Sequence, residues 1–173
     1  QENIFYYLTA YNENYLMPAM PKTKDVAQKI VAGGYLLSST KKASESEIHL
    51  LGSGSIMQQV LNARDLLEEK GFAVSVWSIT SYNELLRDAE QCERENRLHP
   101  FAKAVTPSIE KLFKNTSGSY VAASDYMKIF ANSIAPWMPG HFTALGTDGY
   151  GLSESRADLR EYFEISPDYI SHA

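Results

Sequence analysis

The sequence predicts an open, mostly parallel α/β sheet with helices on both faces. Three observations predict it. Residues 48–79 read as strand, glycine-rich turn, helix and second strand. Strand-like and helix-like segments go on alternating to the end of the chain, and 173 residues that are 44% hydrophobic suffice for a buried core.

The elements follow in order. Residues 4–11 form an aromatic and β-branched run that reads as a strand, and Ile4 to Leu8 read as a buried one. The segment Asn12 to Pro21, with prolines at 18 and 21, reads as an extended connector. Gly33-Gly34 leads a short strand, Tyr35 to Leu37, and the polar stretch Ser38 to Glu47 reads as a turn or exposed loop.

The clearest unit follows. Ile48 to Leu51 is a buried strand and Gly52 to Ser55 a tight turn, after which Ile56, Val60, Ala63, Leu66 and Leu67 recur at helical spacing. Lys70-Gly71 ends that helix, and Ala73 to Ile79 is the next strand. Together they predict a right-handed parallel crossover.

Residues 82–97 are a charged helix with Leu85, Leu86 and Ala89 on one side. Pro107 to Phe113 is a short helix opening at proline, and Tyr120 to Ala123 a third core strand. Asp125 to Ala135 reads as a helix stopped by Pro136, Phe142 to Gly146 as a fourth core strand, and 154–163 as the last full helix. Pro167 to Ile170 reads as a first helical turn that stops before completing an apolar face. With Gln1 where an initiator Met would stand, both ends look cut, which predicts a fragment.

A net charge of −5 with scattered basic residues gives no basic face, so neither nucleic acid nor an anionic membrane is the expected partner. No stretch reaches the roughly 18 apolar residues of a membrane span. One cysteine, Cys92, excludes an internal disulfide framework and suits the cytoplasm. Set among acids, its thiol is expected to be inert.

Gly52, Ser53, Gly54 and Ser55 form a strand-to-helix turn of the kind whose free amides face an anion. It is no dinucleotide fingerprint, since Met57 stands where the third glycine belongs and no acid closes the following strand. Nor is it a nucleophile elbow. The four histidines are too dispersed for a local metal pair. Asp148-Gly149 is similar to the start of a thiamine diphosphate and magnesium motif, but Thr147 interrupts it, and a plain turn explains it.

Two units together resemble the C-terminal domain of the transketolase superfamily: LLGSGS leading a helix and the strand VSVWSI, and GTDGYGLSES followed by LREYFEIS. NENYLMPAMP at 12–21, CERENRLHP at 92–100 and ASDYMKIFA at 123–131 more specifically resemble the thiamine-dependent first component of homodimeric pyruvate dehydrogenases. Glu154 and its neighbouring serines depart from the SAP of transketolases.

The resemblance implies residues 1–32 as the end of a preceding pyrimidine-binding domain plus a linker, and 33–173 as a C-terminal domain cut short. It implies a parent oxidoreductase that decarboxylates pyruvate on thiamine diphosphate with magnesium and acetylates the lipoyl arm of a dihydrolipoyl acetyltransferase. The implied partners of this region are the preceding domains, a second protomer and that acyltransferase. No catalytic, cofactor or metal residue carries over, so the region alone is expected to be inactive.

In an open α/β sheet the loops after the strands gather at one edge. Gly52 to Ser55 are therefore expected beside Asp148, Gly149, Tyr150, Gly151 and Ser153, forming a polar surface for an anion, another domain or another subunit. A free-standing anion- or nucleotide-binding domain, or the same domain of a true transketolase, are the alternatives.

Overall fold

The computed structural model describes residues 3–40 and 47–173. Five strands, β1 (Gly34–Ser39), β2 (Glu47–Gly52), β3 (Ala73–Ile79), β4 (Ser119–Ala123) and β5 (His141–Leu145), form one sheet in the order β1-β3-β2-β4-β5. The pairs β3–β2, β2–β4 and β4–β5 are parallel, and only β1 runs antiparallel, against β3.

Successive side chains of a strand point to opposite faces, and each face has its own helices. Leu50, Val74, Val76 and Val121 lie on the face covered by α2 (Met57–Glu69) and α7 (Pro167–His172), through Val60, Ala63, Leu67 and Ile170. Leu51, Trp77, Tyr120 and Ala122 lie on the other face, under α3 (Tyr82–Leu98), α4 (Ser108–Leu112) and α5 (Lys128–Asn132), through Leu85, Ala89, Ile109 and Ala131. Strands buried on both sides are the reason the sequence runs continuously apolar there.

Two caps set helix starts. The Ser81 hydroxyl accepts from Glu84 N at 3.1 Å to begin α3, and that of Ser155 accepts from Asp158 N at 3.2 Å to begin α6 (Arg156–Tyr162). Gly33 ends α1 (Val26–Ala32) with φ +111°, and a Cβ there would sit 2.8 Å from the Ser81 carbonyl oxygen. Only glycine allows that close turn into β1.

The structure corrects five expectations. Residues 4–11 form no strand: Ile4 to Leu8 are exposed and the segment pairs with no other strand. Their composition suits a strand, but a ladder needs a partner edge. The helix α1, over residues not assigned to any element by the sequence, precedes β1. Ser38 and Ser39 extend β1 and Glu47 begins β2, while residues 41–46 of the expected loop lie outside the described residues.

The helix expected over 125–135 shrinks to α5, because Asp125 to Met127 stay in the loop, Met127 with a non-helical ψ of 140°, and a separate 3-10 turn at Ala135–Trp137, with Pro136 in its first turn, follows. Finally, α7 does present an apolar residue: Ile170 is 1% exposed and packs into the α2 face of the core.

Candidate functional site

Because β2, β4 and β5 are parallel and in register, Gly52, Ala123 and Leu145 line up and the three following loops share one edge. Gly52 is buried there, and Ser53 continues in extended conformation. Gly54 turns with φ +56° into the 3-10 turn Gly54–Ile56 that leads α2. The buried Ser55 hydroxyl then points to the β4 loop and donates to Asp125 Oδ2 at 3.0 Å.

Asp125 is the junction of this edge. The same Oδ2 accepts from the Tyr11 hydroxyl at 3.1 Å, and its main-chain oxygen accepts from the Thr147 hydroxyl at 2.7 Å. Burial, then the Asp125 charge, pushes the Tyr11 phenol pKa up. Thr147 N also donates to the Tyr126 carbonyl at 2.9 Å. The 52–55 turn and the 146–148 turn are thus joined through the β4 loop that lies between them.

Asp148 Oδ1 accepts from Lys128 N at 2.9 Å, while Lys128 Nζ lies 3.3 Å from Oδ2. The bond from the Lys128 amide, chiefly, and the Lys128 ammonium hold this carboxyl below the usual aspartate range. Asp148 therefore ties down the start of α5. Gly149, Tyr150, Gly151 and Ser153 are exposed, Tyr150 at 94%, and take no part in the Asp125 junction.

The N-terminal segment is fastened to the same edge. Arg156, at the start of α6, donates through Nη1 to the Tyr15 hydroxyl at 2.6 Å and through Nη2 to Asn12 Oδ1, and its Nε lies 3.2 Å from Glu13 Oε2. A planar fork with several fixed donors suits three such acceptors. Tyr11 and Tyr15 meet edge to face at 5.7 Å.

Asp125, Tyr11 and Arg156 are the residues that sequence reasoning missed as members of this site. A signal existed for Asp125, an acid placed directly after the third core strand, at the edge where the 52–55 turn also had to lie. Nothing in the sequence couples position 156 to positions 12–15. Cys92 is buried, and burial, more than the neighbouring charge of Asp88, pushes its thiol pKa up. Among the described residues no three His, Cys, Asp or Glu side chains cluster as a metal site, and no helix is long and apolar enough to cross a membrane.

A mostly parallel five-stranded sheet, helices on both faces, and glycine turns gathered on the carboxyl edge define a transketolase-like C-terminal domain. The chain belongs to that family: the family model described as the transketolase-like TK C-terminal domain matches residues 33–166. Its curated relatives include the pyruvate dehydrogenase E1 components of Pseudomonas aeruginosa, 43% identical, and of Escherichia coli K12, 41% identical, each over 98% of this chain.

The chain spans 19% of the length of each of those relatives. In fold it is similar to the transketolase of Campylobacter jejuni, with a TM-score of 0.55 at 22% identity over 91% of this chain and 19% of that one. It is likewise similar to a split-gene transketolase, with a TM-score of 0.52 at 16% identity over 82% of this chain and 40% of that one.

Proposed function

We propose that this chain is the scaffold and subunit-contact region of a thiamine diphosphate-dependent pyruvate dehydrogenase first component. Residues 1–32 would be the end of the preceding domain with its linker, and 33–173 the C-terminal domain. The parent would be a cytoplasmic homodimer that decarboxylates pyruvate and acetylates the lipoyl group of its acyltransferase.

The observation that carries this reading is the extent of the likeness to the E1 components. It runs over 98% of the chain, well beyond residues 33–166 covered by the domain model. The Arg156 contacts to residues 12–15 support the same reading, because they fix the direction in which the chain enters the domain.

The residues here do not fit a magnesium diphosphate site. Asp148 is engaged by Lys128, and no acidic cluster lies beside it among the described residues. No step of the chemistry is therefore assigned to them. Their proposed work is contact: the edge from Gly52 to Ser55 and from Asp148 to Ser153 would meet another domain or the second subunit.

Pyruvate turnover with thiamine diphosphate, magnesium and an artificial electron acceptor tests the reading, measured on the full-length gene product and on residues 1–173 alone. Turnover by the former only is expected. Activity of the 173 residues alone, or none with pyruvate in the full-length protein, overturns it.

A further inference from the structure

Asp148 is the one aspartate or asparagine in the sequence that a glycine follows. The carboxyl carbon of an aspartate, Cγ, can close a five-membered ring with the main-chain nitrogen of the next residue. A Cβ on that next residue crowds the approach, and glycine has none. The step is intramolecular, so its rate depends on how freely the two groups meet.

The turn leaves the nitrogen free to move. Asp148 and Gly149 are both exposed. Gly149 has φ +90°, and a Cβ built on it would meet nothing within 4 Å, so no packed neighbour fixes this peptide. Its N–H has no main-chain acceptor among the described residues. The residues beyond add no anchor, since Tyr150 is exposed and Gly151 is equally open.

The restraint lies at the carboxyl. Oδ1 accepts from Lys128 N at 2.9 Å and Oδ2 lies 3.3 Å from Lys128 Nζ, which turns the group toward the start of α5. Both contacts keep the carboxyl ionised, whereas ring closure needs it protonated, so that its hydroxyl can leave as water. Yet the Lys128 and Asp148 side chains are 43% and 46% exposed, and an ion pair so open to water is weak. It slows the reaction without forbidding it.

We infer that Asp148-Gly149 is a site of spontaneous isomerisation to isoaspartate, restrained by Lys128. The Gly149 nitrogen bonds to Asp148 Cγ, and the carboxyl hydroxyl leaves with the amide proton as one water, giving a cyclic imide. A second water opens the ring. Opening at Cγ restores aspartate, while opening at the Asp148 main-chain carbonyl leaves the chain running through Cγ. No electrons are transferred, and the water released equals the water taken up. The product lengthens the main chain by one carbon and moves the carboxylate, so Lys128 N loses its acceptor and the start of α5 is released. A domain or subunit laid over this edge, as proposed above, would slow the reaction without changing the order of the variants below.

Ageing of the full-length gene product in neutral buffer tests this beside the K128Q and D148N variants. Isoaspartate is read by peptide mapping and by methyl transfer from an isoaspartyl methyltransferase. It is expected at position 148, accumulating about two- to fivefold faster in K128Q, the gain from freeing a side chain held by an exposed ion pair. D148N keeps an acceptor for Lys128 N and should form the same imide with loss of ammonia, faster than the unmodified protein and readable as a mass gain. A rate at position 148 no higher in K128Q than in the unmodified protein overturns the proposal, as does D148N that stays intact.

Discussion

Trp77 Nε1 donates to His49 Nδ1 at 3.2 Å across two paired strands, and so fixes which imidazole nitrogen carries the proton. The other nitrogen, Nε2, then donates to the Ser117 carbonyl at 3.1 Å, and the ring stacks on Tyr120 at 4.5 Å. His49 is 1% exposed, and burial holds its pKa below the ordinary 6.5. A second proton would have to displace the indole.

Acid should therefore weaken the fold. Below about pH 6.5 the unfolded chain binds a proton that the folded one refuses, so this contribution is whole above that pH and is lost as the pH falls. The urea midpoint should hold steady from about pH 8 to 7 and decline toward 5.5, with a shallower decline in His49→Gln. A midpoint that climbs on acidification contradicts the assignment.

Asp125→Ala removes the acceptor shared by Ser55 and Tyr11. A loss of about 1–2 kcal/mol is expected, as for two hydrogen bonds to a partly solvated carboxylate. Denaturant unfolding reads it. Ser55→Ala combined with Asp125→Ala should cost little more than Asp125→Ala alone, since the two act through one contact.

Arg156→Ala should barely change stability, by less than about 1 kcal/mol, because its contacts lie at the exposed surface. Its effect lies in the segment it holds. Chymotryptic cleavage after Tyr11 and Tyr15 should speed up several-fold, and Arg156→Lys should not restore protection, since a point charge cannot reproduce the fork. Unchanged cleavage would show that Tyr11 and Asp125 hold the segment alone.

Ile170→Ala should cost about 2–4 kcal/mol, the usual range for emptying a fully buried aliphatic site. The comparison is Tyr169→Ala, one residue earlier on the same helix and 43% exposed, which should cost under about 1 kcal/mol. Equal losses would mean that α7 is not seated on α2.

The β2–α2–β3 unit was legible because three signals agree there: a solid apolar strand, glycines at the turn, and helical spacing of Val60, Ala63 and Leu67. The fold class follows from that unit and its repetition. Residues 4–11 misled because aromatic and β-branched composition measures fitness for a sheet and not the presence of an edge to join. Position 125 was readable only as an acid after a strand, since its partners Ser55 and Tyr11 are 70 and 114 residues away. Arg156 is harder still, as its charge equally fits a solvated helix start.

The strand order has a consequence for the growing chain. When the chain up to Leu98 has emerged from the ribosome, β2 has β3 on one side, but its other neighbour, β4, begins only at Ser119. Leu50 and Leu51 then sit on a strand with an open flank, and the Phe113 ring that packs against Trp77 has not yet been made. Long-range pairing of this kind is slow to close. While Leu98 but not yet Ser119 has emerged from the ribosome, the chain thus presents a half-finished sheet with one apolar strand edge open.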